Sequence, residues 1–204
     1  MNRILEYRGL RLEIPENVYF PSDDTYLLIE NLIVKSGDRV LEIGTGSGLV
    51  ALIAAKTAEK VIATDISPIA VKCAEKNIQM NHLSNKVEVR EGNLFDPVVE
   101  GEKFDLILFN PPYLPEPEKT TSSRKDWLEI AWDGGKNGRN LIDPFIKKCS
   151  NFLKQGGLVQ LVQSSFSDIP KTCQNFRKCG LQVEIVAKRS FFFEKIVIIN
   201  ARKK

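Results

Sequence analysis

The chain has 204 residues, 43% of them hydrophobic and 27% charged, with a formal net charge of +3 at pH 7. That length suits one domain with a sizeable core, and the composition is that of an ordinary globular protein. The small charge argues against nonspecific nucleic-acid binding, no apolar run is long enough to span a membrane, and Met1–Leu10 lacks the apolar stretch of a signal peptide. Cys73, Cys149, Cys173 and Cys179 lack the C-x-x-C spacing of a zinc site. They read as free thiols of a reducing compartment, so a cytoplasmic protein without a metal is expected. His82, the single histidine, lies in a polar helix-end segment and suits a surface position.

In chain order, Ile4–Ile14 alternates apolar and polar residues about Gly9, as a β-hairpin does. Pro15 and Pro21 bracket a loop. Ser22-Asp23-Asp24-Thr25 supplies capping residues for a helix that Lys35–Asp38 ends. Val40–Ile43 is a buried strand closing on a glycine-rich turn, after which a helix is expected to open at Ser47. Lys60–Asp65 is a second strand, and Ser67-Pro68 starts a helix running to about Asn81. Lys86–Arg90 and Phe104–Phe109 are the third and fourth strands. A polar loop then runs through Arg124, with a mild lysine cluster at Lys119–Lys125 that reads as solvated. Gly134-Gly135 breaks a short helix, Gly138–Leu153 forms another, and Gly157–Gln163 is the fifth strand. Asp168–Cys179 is a helix stopped by Gly180. Gln182–Ala187 and Lys195–Asn200 pair antiparallel across a short Phe-rich connection, too short for a crossover helix.

Strands alternating with helices imply a seven-stranded, mostly parallel sheet with an antiparallel last strand and helices on both faces. One domain over 1–204 is expected, with the hairpin and helix in 1–36 and the sheet in 37–204. Ligands of such sheets bind at the carboxyl ends of the strands. Glu42 with the glycines, Asp65, Asn93 and Asn110 all fall at such ends, which makes that edge the candidate site.

The turn reads Glu42-Ile43-Gly44-Thr45-Gly46-Ser47-Gly48. Glycines at every second position allow positive φ and close approach of a ligand to the backbone. The dinucleotide fingerprint G-x-G-x-x-G fails, because Leu49 stands at its third glycine. The E-x-G-x-G-x-G pattern instead resembles the first motif of class I S-adenosylmethionine (SAM) methyltransferases, which implies their Rossmann-like fold and SAM as cofactor. On that resemblance Gly44, Thr45, Gly46 and Gly48 form the cofactor turn, and Glu42 orients it and helps hold the methionine ammonium. Asp65, about twenty residues beyond the turn, accepts from the ribose hydroxyls. Ile66 packs on adenine, and Asn93 and Leu94 sit at its edge. Thr25, with Asp24, reaches the methionine end or simply caps its helix; both readings stand.

Asn110-Pro111-Pro112-Tyr113 carries the chemistry. Two prolines stop the strand and hold the backbone extended. The Asn110 side-chain carbonyl and the Pro111 main-chain carbonyl are then two fixed acceptors for an NH₂ group on a planar π-system, with Tyr113 against its flat face. Such a nitrogen is a poor nucleophile because its lone pair is delocalised. Acceptors on both N–H bonds return electron density to it without a strong base. This motif resembles amino-methylating enzymes. Together with 18–25 and Ala131–Arg139, it resembles the short archaeal and eukaryotic branch of the HemK family over nearly the whole chain. That resemblance implies methylation of a glutamine side-chain nitrogen (N5) in the Gly-Gly-Gln motif of class I release factors. It also implies a heterodimer with a small zinc-binding activator protein, docked by strand addition at the sheet edge Lys86–Arg90. Asn93 stands where the family usually has aspartate, and Phe20 where it has an acidic residue. The alternatives are an adenine-N6 methyltransferase of RNA or DNA, a lysine methyltransferase, or a SAM-binding module without catalysis.

Overall fold

The computed structural model describes residues 2–116 and 126–204, so the Lys119–Lys125 cluster lies outside the described residues. A two-stranded antiparallel hairpin leads: β1 (Arg3–Tyr7) and β2 (Leu10–Ile14). Arg8 (φ 48°) and Gly9 (φ 75°) are both left-handed, the turn that matches the twist of paired strands. Then follow α1 (Asp23–Glu30), β3 (Arg39–Ile43), α2 (Leu49–Ala55), β4 (Lys60–Asp65), α3 (Pro68–Met80), β5 (Val87–Glu91) and β6 (Phe104–Phe109). After α4 (Trp127–Ile130) and α5 (Ile142–Cys149) come β7 (Leu153–Ser164), a 3-10 turn at Ser165–Ser167, α6 (Ile169–Lys178), β8 (Leu181–Ser190) and β9 (Lys195–Lys203).

The large sheet has seven strands in the order β5-β4-β3-β6-β7-β9-β8. β9 runs antiparallel to both its neighbours, β7 and β8, and the other pairs are parallel. Val40, Leu41, Ile107 and Leu108 in the central strands are fully buried, as a strand covered on both faces requires. The chain steps outward from β3 to β4 to β5, then returns to lay β6 on the other side of β3. This reversal opens a crevice at the carboxyl ends of β3, β4 and β6. No helix among the described residues is long and apolar enough to cross a membrane.

The small hairpin is attached to α3 by asparagines acting as a substitute strand. Asn77 Oδ1 accepts the Glu13 N–H (2.8 Å), while Asn81 accepts the Arg11 N–H (3.1 Å) and donates to its carbonyl (2.8 Å). Asn77 is fully buried and also donates to the Ser47 carbonyl at 2.9 Å, which links the hairpin to the glycine turn.

Several element boundaries differ from expectation. α1 stops at Glu30, where Asn31 leaves helical geometry (φ −111°, ψ 14°), short of the Lys35–Asp38 end expected for it, and β8 and β9 run on to Ser190 and Lys203. Three further shifts lie closer to the site. The helix expected at Ser47 begins at Leu49, because Gly44 (φ 69°), Gly46 (φ 54°) and Gly48 (φ 83°) keep the chain turning until its N-cap. The helix expected over Gly138–Leu153 is confined to Ile142–Cys149, since Gly138 is left-handed (φ 70°) and Leu153 pairs with Phe104. The fifth strand therefore starts four residues earlier than Gly157, at Leu153.

Candidate active site

A cavity of about 340 Å³ occupies the crevice, within the range of small-molecule sites. One end is the glycine turn. Gly44, Thr45 and Gly46 line it, and a side chain at Gly46 would point into open space. Gly48 does not line the cavity: a Cβ there would lie 3.2 Å from Ala74 Cα, so this glycine lets α2 pack on α3.

Asp65 closes the turn from β4. Its carboxylate accepts the Gly46 N–H and the Ser67 N–H, each at 2.9 Å. Burial pushes its pKa up while those N–H groups pull it down, and each oxygen keeps acceptor capacity beside the cavity. Glu42, at the end of β3, is buried and accepts from the Thr45 hydroxyl at 2.7 Å. Burial pushes its carboxyl up to about 8. Ile66, 46% exposed, and Asn93 and Leu94 form the neighbouring wall.

The other end is assembled around Asp24, at the start of α1. Its Oδ1 accepts the Thr25 N–H (2.6 Å) and the Thr25 hydroxyl (3.1 Å), and the Tyr19 hydroxyl reaches both oxygens (3.0 and 3.1 Å). Its Oδ2 accepts Asn110 Nδ2 and the Tyr113 hydroxyl, each at 3.0 Å. Hydrogen bonds to a carboxylate are stronger than those between neutral groups. Burial first, and then the Asp24 charge, push both phenols well above their usual pKa.

This anchoring decides which way Asn110 faces. Only its NH₂ can meet a carboxylate, so Oδ1 turns the other way. That oxygen is buried and has no partner among the described residues, an arrangement that calls for an explanation. Pro111, Pro112 and Tyr113 line the cavity beside it. Residues 132–135 support the loop from behind: Leu114 donates to the Trp132 carbonyl (3.2 Å) and accepts from Gly134 (2.8 Å). Gly138 must be glycine, since a Cβ there would lie 2.2 Å from the Tyr113 carbonyl. Arg139, 3% exposed, fastens the segment to Asp168 and Thr172 (2.9 Å each) and to Asp143 (2.6 Å).

Thr25, Glu42, Gly44, Thr45, Gly46, Asp65, Ile66, Asn93, Leu94, Asn110, Pro111, Pro112 and Tyr113 thus line one cavity. Sequence reasoning missed Asp24 as its hub, and Tyr19, Trp127 and Trp132 in its wall. The Ser-Asp-Asp-Thr run reads equally as helix capping or as part of the methionine end, and nothing local ties it to a motif 86 residues away. His82 is exposed at the end of α3 with a left-handed backbone, and the four cysteines are free thiols.

The sequence model of the family described as "Methyltransferase small domain" matches residues 22–193. A Methanocaldococcus jannaschii protein assigned as a protein N5-glutamine methyltransferase is 42% identical over 97% of this chain and 98% of its own. Human "Methyltransferase HEMK2" is 30% identical over 92% of this chain and 90% of its own. Among solved structures, the E. cuniculi Mtq2–Trm112 complex, responsible for methylation of the eRF1 translation termination factor, matches with a TM-score of 0.67. It is 21% identical and covers 92% of this chain and 99% of its counterpart.

Proposed function

The chain belongs to the methyltransferase small-domain family, among its HemK-type members, and is a SAM-dependent methyltransferase; from that premise we propose that its acceptor is the side-chain nitrogen of a glutamine in a protein. The observation that carries this reading is the Asn110 amide, its nitrogen bonded to Asp24 and its buried oxygen unpaired. A carboxamide NH₂ has two protons to give. Asn110 Oδ1 takes one, and the Pro111 carbonyl the other.

The cavity suits the cofactor. Gly46 leaves room for a ligand against the backbone, Asp65 offers acceptors for the ribose hydroxyls, and exposed Ile66 offers an apolar face for adenine. Glu42 and Thr45 serve the methionine end through their hydrogen bond, with Thr25 next to Asp24. When bound, SAM supplies an electrophilic methyl group on a sulfonium. The protein's own residues orient the acceptor: the two carbonyls localise the nitrogen lone pair and aim it, and the Tyr113 ring walls one side of the slot. The acceptor nitrogen would exchange one N–H proton, lost to water, for the methyl carbon. The bond from that carbon to sulfur would break to leave a neutral thioether, and no strong base is needed. Because the acceptors are fixed beforehand, little reorganisation accompanies transfer.

The substrate class we propose is a release factor, and the partner a small zinc-binding activator. The N5-glutamine assignment of the M. jannaschii relative and the eRF1 activity of the Mtq2–Trm112 complex support a protein glutamine substrate and a partner, and the zinc of that partner follows from the sequence resemblance alone. β5 and β8 are the two edges of the sheet, and β5 is the one we assign to an added strand. Arg90 there pairs with Glu88 (2.8 Å) and Glu102 (2.6 Å), which protects the edge until a partner adds to it. No cluster of metal-ligating side chains occurs among the described residues, so the zinc would be the activator's own.

The test uses the purified chain, alone and co-expressed with the activator, with methyl-labelled SAM. Label in the release factor that disappears when its Gly-Gly-Gln glutamine is changed to asparagine is expected. Label appearing instead in lysine or in RNA adenine would overturn the glutamine reading. Full activity of the chain alone, with no co-purification, would overturn the partner.

A further inference from the structure

The turn between β8 and β9 is Phe191–Glu194. Phe192 and Phe193 are 91% and 83% exposed, and their rings meet edge to face at 4.6 Å. Single exposed apolar residues need no explanation, but contiguous ones mark interaction sites. Phe166, also half exposed, lies on the adjoining 3-10 turn, whose Ser165 hydroxyl accepts the Lys195 N–H at 3.0 Å.

The tip is held in place beside the active site. The Phe191 N–H closes the turn on the Glu194 carbonyl at 2.7 Å. Arg189, just before it, pairs with Asp23 and Glu30 at 2.8 Å each, the two ends of the helix that carries Asp24. Glu194 adds to the negative field at Tyr113. Its Oε1 is buried with no partner, as are Asn110 Oδ1 and Gln163 Oε1. Among the described residues these three are acceptors, at the ends of β6 and β7 and before β9, whereas the fourth buried unpaired atom, Arg39 Nε, is a donor at the start of β3, away from this rim. A phosphate backbone would bring more acceptors and more negative charge to this rim. A polypeptide brings main-chain N–H donors for those acceptors and apolar surface for the exposed rings.

We propose that the Phe191–Glu194 turn is the docking element for the polypeptide substrate. Phe192 and Phe193 seat in an apolar recess of the substrate protein, and Glu194 takes a main-chain N–H of the segment that carries the acceptor side chain. This deepens the protein-substrate reading above and rests on it. Aromatic anchors of this sort carry a large share of binding at protein interfaces.

The double variant Phe192→Ser/Phe193→Ser changes only exposed side chains. It is compared with the wild type, each co-expressed with the activator, on an intact release factor. KM for the protein should rise roughly 10- to 30-fold, the loss of one or two aromatic anchors, with kcat and SAM affinity nearly unchanged. An unchanged KM in an active enzyme overturns the docking role alone. Failure of the variant to co-purify with the activator also overturns it, and makes the tip an activator surface. A wild-type enzyme that binds SAM yet methylates no protein overturns the parent reading, and the docking role falls with it.

Discussion

At one end of the cavity Gly44, Thr45 and Gly46 form the wall with main chain, and Asp65 reaches back nineteen positions to hold the Gly46 N–H. At the other end the wall is made of side chains from separate segments. Asp24, Tyr19, Asn110 and Tyr113 share one buried carboxylate. Backbone geometry tolerates changes of neighbouring side chains as long as the glycines remain. A hub of side chains fails when its centre is altered, because each buried donor left behind loses its acceptor. The glycine end should therefore govern cofactor affinity and the Asp24 end turnover.

The largest expected effect is on turnover. Asn110→Ala removes the acceptor oxygen, and methyl transfer should fall by about 10²–10³-fold, as with other preorganised polar groups. SAM affinity, measured by calorimetry, should change far less. Near-normal turnover would show that the two ends do not divide the work in this way.

Asp24→Asn tests the hub without changing its shape. One donor on Oδ2 loses its acceptor and the Asn110 amide is free to rotate, so kcat should fall by roughly 10- to 100-fold, equivalent to about 1.5–3 kcal/mol for a charged hydrogen bond. A purely structural Asp24 would instead lower the melting temperature and SAM affinity while leaving kcat of the loaded enzyme intact.

Asp65→Ala tests the glycine end. Here SAM affinity should weaken by about 1.5–3 kcal/mol or more per charged hydrogen bond lost, with kcat at saturating SAM much less affected. Calorimetry giving the wild-type affinity would remove Asp65 from the cofactor site.

The smallest effect concerns Glu42 and pH. Burial raises its carboxyl from 4.5 to about 8. Between those values the folded chain keeps a proton that the unfolded chain has released, so folding stability falls as pH rises through that window. Glu42→Gln carries no such proton. Its melting temperature relative to wild type should climb from pH 5 to pH 8. Parallel curves would mean that Glu42 does not titrate as its burial requires.

Much of this molecule was readable before its structure. The strand–helix alternation and the glycine turn depend on local patterns: apolar runs, capping residues, and glycines where φ must be positive. The Asn-Pro-Pro-Tyr segment announced itself because prolines fix a backbone wherever they stand. The boundaries that moved at Leu49 and Leu153 depend on neighbours: three left-handed glycines at alternate positions in one case, pairing with Phe104 in the other.

Sequence alone therefore pointed to one strand-end crevice as the candidate site and to Glu42, Asp65, Gly44 and Gly46 on its border, because each of those features is written within a few consecutive residues. The tertiary structure decided which way Asn110 faces. Its amide is oriented by a carboxylate 86 residues earlier in the chain, and that carboxylate is held by Tyr19 and Tyr113 as well. The tertiary structure also decided that Gly48 serves helix packing rather than the cavity, and that the Phe192–Phe193 tip stands beside the same rim. These are pairings across long loops, where side-chain direction and strand order both enter, and no local pattern encodes either.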